Sequence, residues 1–179
     1  VAGAGITVAK HGGRSVSSSC GSADVLNALD VKIDLPPEKV EECLNEIGIG
    51  FLFAPNFHLA MRHAVGPRQE IGVRTIFNML GPLTNPANAS IQVLGVYDAE
   101  LTDIMAQVLL RLGSRHCFVV HGSDGLDEIT ITGKTKVCEG KEGRIQCYYV
   151  QPKDFGLEGG RVKDIEGGDA HRNAQITAG

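Results

Sequence analysis

The sequence has no apolar run approaching the roughly 20 residues that a bilayer-crossing helix needs, so no transmembrane segment is expected. It has no basic excess either: 17 Lys and Arg stand against 21 Asp and Glu, a formal net charge of −4. That balance argues against a general nucleic-acid binder, and it leaves room for a small anionic substrate held by one local cluster. The five cysteines form no CxxC pair and are odd in number. They are read as free thiols in a reduced compartment. No positively charged start followed by an apolar segment opens the chain, and the expected location is cytoplasmic. Walker loop, GxGxxG, HExxH and Ser/His/Asp arrangements are all missing, nothing specifies zinc, and no internal repeat or low-complexity tract is visible.

What is there is a balance of 42% hydrophobic and 21% charged residues over 179 positions, enough for one sizeable core. "ITVA" at 6–9 reads as a short buried strand followed by a serine-glycine loop at 10–22. Ser22 is placed as the N-cap of "ADVLNAL", with Ala23, Leu26 and Leu29 on one side. "LPPEKVEECLNEIG" has Pro37 in its first turn, Val40, Cys43, Leu44 and Ile47 at helical spacing, and Gly48 at its end. "IGFLFAP", "IQVLGV" and "HCFVVHG" read as buried strands, and "HLAMRHAV" and "GVRTIFNML" as helices, the second closed by "GPLTNP". "AELTDIMAQVLLRLG" should turn Leu101, Ile104, Met105, Val108 and Leu112 to the core. "EITIT", "KTKVCEG" and "RIQCYYV" then alternate with period two, as antiparallel strands do. The expected fold class is α/β, with a mostly parallel central sheet, flanking helices and a short antiparallel meander near the C-terminus. Ligands in such sheets bind beyond the carboxyl ends of the strands, where loops 10–22, 54–58 and 121–128 leave.

The first of these loops carries the densest chemistry. Between Lys10 and Asp24 stand His11, Arg14, five serines and three glycines. Exposed main-chain amides and hydroxyls make an anion cradle, and Lys10 and Arg14 add full charges suited to a phosphate or pyrophosphate. The alternative is a solvated turn capping the next helix. Asp124, Asp127 and Glu128 crowd the loop after "CFVV", and adjacent hard carboxylates suit Mg²⁺ bridging to phosphate oxygens; the alternative is a polar turn. Arg62, Arg68 and Arg74 offer a grip on a substrate carboxylate, against a solvated helix face as the plainer reading of any one of them. His121 ends a strand and is read as a hydrogen-bonded structural histidine, not a general base.

Five blocks, "KHGGRSVSSSCGSADVLNAL", "FLFAPNFHLAM", "RQEIGVRTIFNMLGPLTNP", "VVHGSDGLDEIT" and "GGDAHRNAQI", together resemble the anthranilate phosphoribosyltransferase family in order over nearly the whole chain. The resemblance implies a nucleoside phosphorylase/phosphoribosyltransferase-like fold, with residues 1–179 as part of the catalytic domain. It also implies transfer of phosphoribosyl from 5-phosphoribosyl 1-pyrophosphate to anthranilate in tryptophan biosynthesis. Lys10, His11, Gly12, Gly13, Arg14, Ser15, Val16, Ser17, Ser18 and Ser22 then bind phosphoribosyl pyrophosphate. Arg68, Gly13, His58 and Pro82 meet anthranilate, and Asp127 and Glu128 hold Mg²⁺. The implied partners are these two small molecules, with no nucleic acid and no membrane, and a homodimeric parent. Gly13 stands where the family has Asn, and Leu59 where it has Pro. The family's GTGGD and NxST segments do not occur, the chain opens without Met, and its end reads as a helix cut short. A fragment with half a site is the expectation, weakly active or inactive alone. A pyrimidine nucleoside phosphorylase-like enzyme is the nearest competing reading, but it needs no Asp-Glu metal pair. A non-catalytic nucleic-acid-binding paralogue is the other, and the net charge disfavours it.

Overall fold

The computed structural model describes residues 1–14, 20–59, 63, 66, 70 and 76–179, with Phe77 and Asn78 described by backbone only. Chain contacts group these into two compact units, Val1–Asn88 with Gly167–Gly179, and Ala89–Glu166.

In the first unit β1 (Val8–Gly12) pairs in parallel with β2 (Ile49–Phe53), with His11 opposite Leu52 and Gly12 opposite Phe53. The strand therefore takes in Lys10, His11 and Gly12, which the sequence reading assigned to the loop. Between the two strands run α1 (Ser22–Ala28) and α2 (Pro37–Glu46). Gly21, not Ser22, is the N-cap of α1, and the Asp24 carboxylate accepts from the Gly21 N–H at 2.9 Å. Pro37 suits the first turn of α2 because that position has no intrahelical partner for an N–H. Helix α2 lies so close to β2 that a Cβ on Gly50 would sit 2.9 Å from Leu44. Its Val40 is buried, while Ile47 faces out, against expectation. After β2 come α3 (Ala54–Phe57) and α4 (Phe77–Leu83); the latter runs through Pro82 instead of stopping before it. Thr84 donates its hydroxyl to the Leu80 and Gly81 carbonyls, which a helix end leaves without partners. The unit also holds the α6 helix (Ala170–Ala178), which packs on α1 and whose N-cap Asp169 accepts from Arg172 N–H at 2.8 Å.

The second unit is a four-stranded sheet, β3 (Ile91–Gly95), β4 (His116–Gly122), β5 (Thr135–Lys141) and β6 (Arg144–Val150), in that spatial order. The β3–β4 pair is parallel, and β4–β5–β6 form the antiparallel meander. The fold is thus α/β with parallel pairs and a C-terminal meander, its described strands in two sheets. "EITIT" is not a strand. Its Thr130 N–H donates to the Thr135 hydroxyl, and the Thr130 and Thr132 hydroxyls hold Asp124, so its polar groups are committed to a loop.

Helix α5 (Leu101–Arg111) covers β4 and β5. It buries Thr102, Met105, Ala106 and Leu109, at spacing i, i+3, i+4 and i+7. That stripe is rotated from the expected one: Ile104 and Leu112 are 53% and 60% exposed. The helix carries two overlapping apolar stripes, and the one with small Thr102 and Ala106 allows the closer approach to the sheet. Leu109, fully buried, contributes about 1.5–3 kcal/mol.

The reading of five free thiols is overturned for two of them. Cys138 and Cys147 form a disulfide. They are direct register partners across β5–β6, and their Cα atoms stand 4.1 Å apart, the close spacing of a pair without ladder hydrogen bonds. Cys20, Cys43 and Cys117 take part in no disulfide. Cys117 is buried, and burial pushes its thiol pKa up, so it behaves as a small apolar side chain. Among the described residues no helix is long and apolar enough to cross a membrane.

Candidate active site

Because β1 and β2 run in parallel, their carboxyl ends open on the same edge of the first unit. β1 leads through Gly13 and Arg14 toward α1. β2 leads directly into α3, whose C-terminal neighbour is His58. The sequence places His11 and His58 47 residues apart, and the fold brings their Nε2 atoms to 3.1 Å. The rings meet edge to face, with centroids 5.0 Å apart. Burial lowers the His11 pKa below its ordinary 6.5 and the facing His58 lowers it further, while a hydrogen bond to the Gly81 backbone of α4 opposes both. Pro82 follows Gly81 in that helix, so His11, His58 and the segment carrying Pro82 are neighbours. The Asn85 amide fixes the other side of β1 by donating to the Ala9 carbonyl at 3.1 Å.

Lys10 is exposed on β1, and Gly12 and Gly13 follow at the strand end. The Ser22 hydroxyl lies beside Gly12, 3.6 Å from where a Cβ would stand. Gly13 accepts a hydrogen bond from Ala23 N–H at 3.4 Å. A Cβ on Gly13 would meet nothing within 4 Å. Arg14 donates to Asp24 at 3.3 Å and is still 58% exposed, leaving much of its guanidinium open to an anion. A cleft of about 430 Å³ opens beside it, with Asn27, Lys32, Ile33 and Phe53 in its walls. Ser15, Val16, Ser17, Ser18 and Arg68 lie outside the described residues, as do Arg62 and Arg74.

The acidic turn belongs to the second unit and follows β4. Asp124 serves the turn: it accepts from the Thr130 and Thr132 hydroxyls and, at 3.2 Å, from Leu126 N–H. Burial pushes its carboxyl pKa up, but these hydrogen bonds outweigh it and hold the group below the ordinary value. Asp127 and Glu128 are exposed at the next bend. Adjacent hard carboxylates open to water fit Mg²⁺, which retains part of its hydration shell. The backbone beneath them is locked from an unexpected side: a Cβ on Gly95, at the end of β3, would lie 1.7 Å from the Asp127 carbonyl oxygen. Glu128 also lines an apolar hollow of about 500 Å³ with Ile129, Ile131, Val162 and Ile165. His121 Nδ1 bonds the Val96 carbonyl at 2.8 Å, the structural role expected of it. Among the described residues Asp103, Cys138 and Cys147 form a group of three potential ligand atoms, with the two sulfurs bonded to each other.

Gly81, Gly95 and the Thr130–Thr132 pair were not singled out from the sequence. Two of the three signals are faint, since a glycine ending a strand or sitting in a Gly-Pro step has many explanations. Thr-x-Thr six residues after an aspartate was the one local cue.

The chain is 60% identical over 176 residues to an anthranilate phosphoribosyltransferase of Moorella thermoacetica, and 62% identical over 177 residues to one of Desulfosudis oleivorans. It spans about half the length of these relatives, 52% of each, while 98–99% of the chain is matched. Among solved structures it resembles the anthranilate phosphoribosyltransferase (TrpD) of Thermus thermophilus, at 46% identity and a TM-score of 0.88 over 98% of this chain and 51% of that one. The Saccharomyces cerevisiae anthranilate phosphoribosyltransferase in complex with PRPP and Mg matches at 31% identity and a TM-score of 0.85, over 97% of this chain and 48% of that one. A family model described as "Glycosyl transferase family, a/b domain" matches residues 1–179 throughout, and the chain belongs to that family.

Proposed function

We propose that residues 1–179 form part of the catalytic domain of an enzyme that transfers phosphoribosyl from 5-phosphoribosyl 1-pyrophosphate to anthranilate, releasing pyrophosphate and N-(5-phosphoribosyl)anthranilate. The observation that carries this reading is the meeting of the Lys10–Arg14 strand end with His58 at the carboxyl edge of a parallel pair. It stands in a chain about 60% identical to proteins that bear this activity in their names. Lys10, the exposed part of Arg14 and the main-chain groups of the following loop, with Ser15, Val16, Ser17, Ser18 and Ser22, hold the diphosphate. Arg68 holds the anthranilate carboxylate, and Gly13, His58 and Pro82 line its approach.

Asp127 and Glu128 would hold Mg²⁺, whose charge offsets the negative charge that grows on the departing pyrophosphate. The ribosyl centre becomes cationic as that group leaves, so the residues named here work by positioning and by neutralising charge. No covalent intermediate with the protein is required. The homodimer expected of the longer protein rests on the family resemblance.

The test is depletion of anthranilate fluorescence by the full-length parent in the presence of 5-phosphoribosyl 1-pyrophosphate and Mg²⁺. Arg68→Ala should raise KM for anthranilate at least tenfold more than KM for the diphosphate, the loss of one charged hydrogen-bonding partner. Equal changes in both constants would contradict the role given to Arg68, and absence of turnover in the parent would overturn the reading.

A further inference from the structure

The contact between His11 and His58 has a consequence for proton traffic. Two neutral imidazoles carry two N–H hydrogens on four ring nitrogens. With the Nε2 atoms 3.1 Å apart, one hydrogen must lie between them, one ring donating and the other accepting. The second hydrogen occupies one outer nitrogen, and the other outer nitrogen is bare. The Gly81 backbone bonds to the His11 ring and favours its protonated form, so it acts as an acceptor there. The two outer nitrogens are the Nδ1 atoms of His11 and His58, and in the neutral pair one of them is bare.

Such a pair takes up a second proton far less readily than a first, because two cationic rings would then face each other at hydrogen-bond distance. Among the described residues the groups acting on His11 are His58, at the end of α3, and the Gly81 backbone of α4. Lys10 is its chain neighbour, and Arg14 is paired with Asp24. Burial and the facing ring keep His11 neutral at neutral pH, ready to receive.

We propose that His11 and His58 act as one proton-accepting unit for the aromatic amine, with the bare outer nitrogen of the pair as the receiving atom. This inference rests on the reaction proposed above. The amine lone pair forms the N–C1 bond, and the C1–O bond breaks with its electron pair leaving on pyrophosphate. The nitrogen then carries one proton too many. That proton passes to the bare outer nitrogen of the pair, the charge is shared through the Nε2 contact between the rings, and the pair returns the proton to water after product release.

The experiment has two readouts on the full-length parent. The first is nitrogen-15 NMR of the histidine rings against pH. The His11 ring should titrate below the ordinary histidine range, its protonation should also be felt in the His58 ring signals, and His58→Asn should move the His11 midpoint upward by removing the facing ring. The second is single-turnover rate against pH. The wild type should lose rate as pH falls through the midpoint of the pair. His58→Asn should cut the rate about a hundredfold and abolish that acid limb, and added imidazole should restore part of the rate in His58→Ala. A residue that only shapes the pocket would raise KM for anthranilate and leave the acid limb in place. An unchanged acid limb in both His58→Asn and His11→Asn, with coupled NMR titration retained in the wild type, overturns the proton role and spares the phosphoribosyl-transfer reading. Independent titration of the two rings overturns the pair itself. No turnover in the wild type sinks the reaction and, with it, the chemical role, while NMR still reports whether the pair exists.

Discussion

Gly95 closes β3 with a hydrogen where every other residue would place a carbon 1.7 Å from the Asp127 carbonyl oxygen. No rotamer relieves that contact, because both partners are backbone. Gly95→Ala should therefore destabilise the second unit by about 1–3 kcal/mol, the usual cost of forcing extra volume into a packed position. It should also displace the turn that carries Asp127 and Glu128. Thermal unfolding with a Mg²⁺ titration checks both effects; a variant with unchanged stability and unchanged metal affinity would show that the turn rearranges at no cost. Asp124 illustrates a different relation between residue type and role. An acidic side chain next to a candidate metal pair looks like a third ligand in the sequence. The two threonine hydroxyls and the Leu126 N–H consume its oxygens and make it the organiser of the loop.

The β5–β6 hairpin shows how one turn sets the register of everything above it. Glu142 and Gly143 both have positive φ, at 50° and 75°, as a two-residue turn matched to strand twist requires. That turn sets Lys141 opposite Arg144, and counting back along both strands puts Cys138 opposite Cys147. The disulfide was thus latent in "KVCEGKEGRIQC", although cysteine count and spacing alone pointed to free thiols. On the other face of the sheet His116 holds Glu139 at 2.7 Å, and the Tyr148 hydroxyl donates to the same carboxylate at 2.9 Å. The hydrogen bond from His116 lowers the Glu139 pKa more than burial raises it. Cross-linking β6, an edge strand, to β5 restricts the unfolded chain. Reduction, or Cys147→Ser, should lower stability by about 2–3 kcal/mol, with reductant having no further effect on the variant. Intact mass and thermal unfolding with and without reductant measure this. A thermal midpoint unmoved by reductant would mean that the bond adds nothing to the native hairpin.

The chain as a whole divides its candidate chemistry between its two units: the anion-binding strand end and the histidine pair lie in the first, the carboxylate turn in the second. The proposed reaction needs both. Asp127→Asn with Glu128→Gln in the full-length parent should reduce turnover at limiting Mg²⁺ at least a hundredfold, and excess Mg²⁺ should restore part of it. The unfolding temperature should move little, because both side chains are exposed. An unaltered Mg²⁺ dependence would reject the two carboxylates as ligands.

Much of this was readable along the chain, because hydrophobic period, helix-end chemistry and turn residues are local properties. Helix α2, strand β4 and helix α5 stand where their patterns put them, and the loops after β1, β2 and β4 were marked as the chemical ones. What local pattern could not supply was which atoms those loops bring together. Nothing along the chain says that His11 faces His58 or that Asp127 rests on Gly95. Nor does it say which of two apolar stripes on α5 turns inward. Those outcomes follow from strand pairing and close packing, in which residues tens of positions apart compete for the same few ångströms.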